Sequence, residues 1–153
     1  MRQRTDAIGH AFLAAKCRAN GLRITPQRAA IYGALCRSAS HPTAEQLHKT
    51  IRARFSHVSL DTVNRTLLTF AQIGLAEIAE SYGSPRRYDP NLESHHHAHC
   101  IKCGTIVDFT SPHFDALKIP AEIRCRFTII SKKVIFNGVC SACRKPKATG
   151  LDN

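Results

Sequence analysis

"SLDTVNRTLLTFAQIGLAEIAESYGSPRRYD", residues 59–89, changes its hydrophobic period partway along, and that change decides the fold. Up to Gly74 the pattern is helical. Ser59 suits the N-cap, Val63, Leu67 and Phe70 recur on one face, and Gly74 suits the stop. Thr62, Asn64, Arg65 and Thr69 are left to point outward. From Leu75, "LAEIAES" alternates apolar and polar residues as a half-buried strand does. "YGSP" is a turn signal, and "RRYD" can return as a second strand. Short helices followed by a hairpin are the layout of a winged helix-turn-helix, in which the last helix enters the major groove and the hairpin touches phosphates. Arg86 and Arg87 sit where the wing would carry charge. The competing reading is a small helical domain with an ordinary hairpin.

The segments before residue 59 agree with the first reading. "SHPTAEQLHKTIRARF" offers Thr43 as a cap with Gln46 three residues on, a capping box, and an apolar stripe of Leu47 and Ile51. In "RITPQRAAIYGALCRSA", Thr25 is the cap candidate and Pro26 occupies the first helical position, where a missing N–H costs nothing. Ile31 and Leu35 repeat at helical spacing there. "MRQRTDAIGHAFLAAKCRANG" reads as an amphipathic helix capped at Asp6, with Ile8, Phe12 and Ala15 along one side and Gly21 after it, rather than as a signal peptide. After residue 95 the chain turns strand-like. "HHHAHCI", "TIVDF", "RFTIIS" and "KVIFNGVC" are rich in β-branched and aromatic residues. A short helix is expected around residues 114–123, shortened or kinked by Pro120. The fold class is therefore α+β: an N-terminal winged helix-turn-helix domain followed by a small C-terminal α/β unit. The tail "RKPKATGLDN" is polar and expected to be mobile.

Composition narrows the function. The 153 residues carry 22 Lys and Arg against 11 Asp and Glu, a formal charge of +11, and 43% are apolar. Residues 1–88 hold thirteen basic against five acidic residues, a net +8, so most of the excess lies in the first half. A basic half points to a polyanion, most simply nucleic acid, against the blander reading of a surface kept basic for solubility. No apolar run approaches the roughly 20 residues of a membrane span. The chain is accordingly read as cytoplasmic, where its seven cysteines stay reduced and suggest metal before disulfides.

Two cysteine pairs match. Cys100-x-x-Cys103 is followed by Gly104, and Cys140-x-x-Cys143 is preceded by Gly138 and Val139. Two such knuckles suit one structural Zn(II) held by four thiolates, with glycine relieving the tight turn. A redox pair is the alternative, but that chemistry prefers a strand-to-helix junction, and both pairs here lie between strand-like segments. Cys17, Cys36 and Cys125 stand among apolar neighbours and read as small core residues.

With sulfur assigned to zinc, the histidines need another role. Four of the nine lie at positions 95, 96, 97 and 99. On a strand His95, His97 and His99 project one way and His96 the other. "TIVDF" offers Asp108 and "RRYD" offers Asp89. Mixed nitrogen and oxygen donors suit Fe(II), Mn(II) or Zn(II) and do not suit a second all-thiolate site. The bland alternative is a polar strand surface. No His-Glu-x-x-His or comparable signature marks an enzyme.

At this point "RITPQR", "HPTAEQL", "SLDTVNRTL", "RRYD", "HHHAHCIKCG", "TIVDF" and "NGVCSAC" together resemble the ferric uptake regulator family of bacterial metal-dependent repressors, over nearly the whole chain. The resemblance implies a winged-helix DNA-binding domain over residues 1–88, a hinge near 83–92, and a metal-binding dimerisation domain over 93–153. It implies a homodimer on a palindromic DNA operator, with no membrane and no enzymatic role. It places the structural zinc on Cys100, Cys103, Cys140 and Cys143, and a regulatory Fe(II) or Mn(II), with Zn(II) as a further option, on His41, Asp89, His95, His97 and Asp108. DNA contacts would come from Arg23, Gln27 and Arg28, from Thr62, Asn64 and Arg65, and from Arg86 and Arg87. Aspartate at position 108 resembles the peroxide-responsive branch, in which His41 and His95 would be the oxidation targets and hydrogen peroxide the one small molecule acted on. The alternative is an iron- or zinc-sensing repressor of metal-uptake genes without peroxide chemistry. The family's recognition helix usually reads Thr-Val-Tyr, whereas this chain has Thr62-Val63-Asn64, and asparagine can pair with adenine through two hydrogen bonds. A third complete metal site is not expected around His96 and His99.

Overall fold

The computed structural model describes residues 2–38, 40–79 and 85–144, with side chains from residue 9 onward. The chain divides into two compact units, Met1–Glu93 and Ser94–Asn153.

The first unit is built from helices α1 (Arg2–Ala19), α2 (Pro26–Cys36), α3 (Ala44–Arg52) and α4 (Leu60–Gln72), then strands β1 (Glu77–Ala79) and β2 (Arg87–Asp89). Three helices start where the local chemistry says. The Thr25 side chain accepts from the Arg28 N–H, Ser59 from the Thr62 N–H, and Thr43 and Gln46 close a full capping box, so orphan donors at these ends are satisfied. Gly74 ends the α4 segment at φ +68°, a left-handed conformation that glycine alone adopts without cost. Leu13, Ile31, Leu35, Leu47, Val63, Leu67, Phe70 and Leu75 pack into one core, with Tyr88 of β2 fully buried against it. Tyr32 meets Phe70 edge-on, with ring centroids 5.6 Å apart.

Two sequence expectations fail in this unit. α1 begins at Arg2, ahead of Asp6, so Asp6 is inside the helix and not its cap. Its buried stripe is Leu13 and Cys17, while Phe12 and Ala15 face solvent; both choices have helical spacing, and only packing against α2 distinguishes them. The hairpin is shorter than the alternating pattern suggested, because Leu75 and Ala76 are drawn into the core ahead of β1. Residues 80–84, including most of the expected "YGSP" turn, and the tail from residue 145 lie outside the described residues. β1 and β2 pair antiparallel with Ile78 opposite Tyr88. β2 also engages the segment before α3: Arg87 bridges Thr43, and the Tyr88 N–H donates to the Pro42 carbonyl at 3.1 Å.

The second unit is a three-stranded sheet in the order β4-β3-β5, from β3 (His96–Cys100), β4 (Ile106–Phe109) and β5 (Ile135–Gly138). β3 is antiparallel to β4 and parallel to β5. A parallel neighbour demands a crossover, which carries two short helices, α5 (Pro112–Asp115) and α6 (Ala121–Arg124). The single helix expected over 114–123 is thus split: Pro120 caps α6 instead of lying within it. "RFTIIS" forms no strand, and Ile130 in it is 96% exposed. Phe109, Phe114 and Phe136 cluster over the sheet, with Phe109 and Phe136 stacked at 5.6 Å. Among the described residues no helix is long and apolar enough to cross a membrane.

Candidate metal centres

β3 and β5 run side by side and deliver one knuckle each to the same end of the sheet. Cys100 closes β3, and Cys140 follows β5 and opens a short 3-10 turn, Ser141–Cys143. The ligand atoms of Cys100, Cys103, Cys140 and Cys143 all lie within 4.8 Å of one another. The Cys103 and Cys140 sulfurs are 3.8 Å apart. A tetrahedral ion with bonds of about 2.3 Å requires sulfur pairs about 3.8 Å apart, so the spacing fits zinc. Gly104, at φ +70°, donates its N–H to the Cys100 carbonyl at 2.8 Å and tightens the first knuckle.

The surroundings of three of these sulfurs agree with a cation centre. The Cys140 N–H donates to the Cys100 sulfur at 3.3 Å and, with the N–H groups of Cys103 and Lys102, pulls that thiol down to about 5. Cys103 is lowered by Thr105. Cys143 is pushed up to about 12 by its hydrogen bonds with the Cys140 and Cys103 sulfurs. Cys100 and Cys103 are thus shifted towards the thiolate and Cys143 away from it, as expected where sulfurs crowd together. Cys17 is buried as expected, but Cys36 and Cys125 are exposed. The whole segment around Cys125, residues 121–130, is exposed.

A mixed donor set is prepared in two parts, one in each unit. In the second unit, His95 Nε2 and His97 Nε2 approach to 2.9 Å. Asp108 Oδ1, across the strand pair from His97, lies 3.4 Å from His97 Nε2 and 3.9 Å from His95 Nε2. Ligand atoms held on one ion at about 2.1 Å lie roughly 3–3.5 Å apart, so this convergence suits an ion bound by nitrogen and oxygen. In the first unit, His41 Nε2 sits 3.4 Å from Asp89 Oδ2, and both side chains are buried. Asp89 Oδ1 accepts from the Asn91 N–H at 2.8 Å, which orients the carboxylate. His41 has φ +47° and is the one non-glycine residue with positive φ among those described; such a conformation costs an L-residue ~1–2 kcal/mol. The Arg87 guanidinium donates to the His41 carbonyl at 3.1 Å.

The histidine run is not a polar strand surface, since His95, His96, His97 and His99 are all buried. His96 takes the opposite face, as alternation requires. Its Nδ1 accepts from the Val134 N–H, its Nε2 meets Asp115 at 3.4 Å, and its ring packs on Phe109 and Phe114. Lys132 donates to the carbonyls of Asp115 and Leu117 beside it. His99 hydrogen-bonds Asn137 on β5 at 3.2 Å. Sequence reasoning missed the His96–Asp115 pair, for which residue spacing carries no signal.

The residues expected at DNA are placed as follows. Arg23 and Gln27 are exposed, and the Arg28 guanidinium donates to the Arg23 carbonyl at 2.6 Å. On α4, Arg65 is solvent-exposed and paired one turn back with Asp61 at 2.8 Å, while Thr62 and Asn64 are half-buried. A cleft of about 600 Å³ between α4 and the hairpin is lined by Thr43, Leu60, Asp61, Asn64 and Arg86. The Tyr88 hydroxyl donates weakly to the Asn64 side-chain oxygen at 3.4 Å. Arg86 is exposed, but Arg87 is turned inward to His41.

Known proteins resemble this chain in sequence and fold. The profile of the ferric uptake regulator family matches residues 19–143. The peroxide-responsive repressor PerR of Staphylococcus epidermidis is 36% identical over 131 residues, 86% of this chain and 87% of that protein. The fold superposes on the Helicobacter pylori ferric uptake regulator, a protein with three functional metal-binding sites, with a TM-score of 0.78 and 24% identity over 94% of this chain and 96% of that one. It also superposes on a zinc-bound manganese uptake regulator, with a TM-score of 0.63 and 28% identity over 84% of this chain and 98% of that one.

Proposed function

Because the chain belongs to the ferric uptake regulator family, we propose that it is a metal-dependent, DNA-binding transcriptional repressor that senses hydrogen peroxide. The observation that carries this reading is the convergence of His95, His97 and Asp108 on one point. Four thiolates form the permanent zinc centre, and the cytoplasm, where thiols stay reduced, suits it. The regulatory centre combines His41 and Asp89 from one unit with His95, His97 and Asp108 from the other. An ion gripped by both units fixes their relative angle, and in a dimer that angle sets the separation of two α4 helices. Only a separation that matches two half-sites of a palindromic operator binds well, so metal occupancy and DNA affinity are linked.

On the DNA side, α4 presents Thr62, Asn64 and Arg65 to base edges. Arg23, Gln27, Arg28 and Arg86 supply backbone contacts. Bound Fe(II) supplies the electron-transfer chemistry that activates peroxide. In the net reaction one peroxide oxygen is added to an imidazole carbon of His41 or His95 and the other leaves as water. The modified ring ligates poorly, and the repressor releases DNA. The test loads the protein with Fe(II) or Mn(II), adds hydrogen peroxide, and maps peptides by mass spectrometry. One added oxygen on His41 or His95 is expected with iron and not with manganese, together with at least a ~10-fold loss of operator affinity. No oxidation beside reversible, metal-gated binding would make the protein an iron- or zinc-sensing repressor instead.

A second copy of the chain is the proposed partner of the second unit. Phe127, Ile129 and Ile130 are exposed along the segment expected as a strand, and an apolar run with strand propensity and no pairing marks an interface. Ile130→Asp should shift the protein to monomers in sedimentation. Each buried isoleucine is worth ~1.5–3 kcal/mol and counts twice across a twofold axis, so the dimer should weaken at least about a hundredfold. Zinc content should not change.

A further inference from the structure

Arg87 was expected, from its place in the hairpin, to touch phosphate. We propose that it is instead a positioning residue that holds His41 as a metal ligand. The inference rests on the regulatory site described above, with His41 and Asp89 among its ligands. β2 grips the segment 41–43 at consecutive points: Arg87 bridges Thr43 in the backbone, the Tyr88 N–H donates to the Pro42 carbonyl at 3.1 Å, and the Arg87 guanidinium donates to the His41 carbonyl at 3.1 Å. The guanidinium is committed to this role, since its Nε is buried with no hydrogen-bond partner among the described residues. A side chain reaching for phosphate would keep that nitrogen in water.

The clamp falls where the backbone needs one. His41 holds a left-handed φ of 47° and precedes Pro42, whose ring restricts the residue before it. That conformation is uncommon for any residue with a Cβ, histidine included, so the surroundings must hold it. A hydrogen bond to the His41 carbonyl fixes the orientation of the 41–42 peptide, and with it the direction of the imidazole towards Asp89, 3.4 Å away. Arg87 and Asp89 are two apart on one strand and share a face. A single short strand thus supplies one ligand and fixes the other.

The test compares wild type, Arg87→Gln and Arg87→Lys as full-length, zinc-loaded proteins. Mn(II) affinity is read from the free-ion electron paramagnetic resonance signal. Operator affinity is read by fluorescence anisotropy over a range of salt. Removing a group that orients a metal ligand typically weakens binding 10–100-fold. Arg87→Gln should weaken Mn(II) by that factor, Arg87→Lys should restore part of it, and excess Mn(II) should recover operator binding with an unaltered salt slope. Unchanged Mn(II) affinity in both variants, with a salt slope reduced by about one, would make Arg87 a phosphate contact and overturn the inference. Wild type that binds no Mn(II) beyond its zinc, or binds the operator equally without it, would overturn the regulatory reading and this inference together.

Discussion

Cys140→Ser should lose the zinc and with it the ordered structure of the second unit. Cys100 ends β3 and Cys140 follows β5, so one ion ties the ends of two parallel neighbours. Little else in that unit of a single chain can do so. Among its described residues the buried apolar side chains are Cys100 and Ile106, whereas the core of the first unit is many times larger. Structural zinc contributes on the order of 10–16 kcal/mol of apparent binding free energy in small domains, and that energy is folding energy. Elemental analysis should find less than one zinc per chain, and far-UV circular dichroism should show loss of strand with the helices retained. Cys125→Ser, at an exposed cysteine outside the knuckles, is the matched control and should keep the metal. A full zinc complement in Cys140→Ser would refute the assignment.

Asp89→Asn should abolish the effect of regulatory metal on operator binding while leaving zinc in place. The substitution keeps the size of the side chain and an oxygen that can accept the Asn91 N–H, but removes the anionic donor beside His41. Coupling between two binding events in one protein is typically worth about 5–150-fold in affinity, and that whole factor should vanish. His97→Asn, in the other unit, should do the same. On the proposed reading both act on one ion, so the double variant should be no worse than either single one, a large departure from additivity. Metal-dependent operator affinity surviving in either variant, measured by anisotropy with and without Mn(II), would show that the two half-sets do not serve a common ion.

The parts of the fold that were legible are those decided within a few residues. The caps at Thr25, Thr43 and Ser59 are local chemistry, and they stand in the structure as read. The cysteine pairs were legible because each knuckle is short and two of them match. "RFTIIS" misled because strand propensity is only a readiness to pair, and among the described residues no strand pairs with it. The short helix expected over 114–123 was read as shortened or kinked at Pro120, and the proline goes further and splits it into two single turns. α1 offered two candidate stripes, and the choice depended on what α2 presents. In the metal centres, alternation put His95 and His97 on one face and His96 on the other, as found. It could not say that His96 would be buried with Asp115, nor that Arg87 would turn from the wing to the His41 carbonyl. Those contacts join residues 19 and 46 positions apart, beyond the reach of periodicity.

The parallel pairing of β3 with β5 has a consequence for how the molecule is made. Its register sets His97 against Ile135 and Cys100 against Gly138, so neither the sheet nor the zinc knuckles can close until the intervening crossover has emerged from the ribosome. Everything the first unit needs is synthesised earlier, and helices with local contacts form quickly while distant pairings are slow. During translation the first unit is therefore expected to be finished while the second still exposes naked thiols, and metal capture waits on the late pairing of β3 with β5.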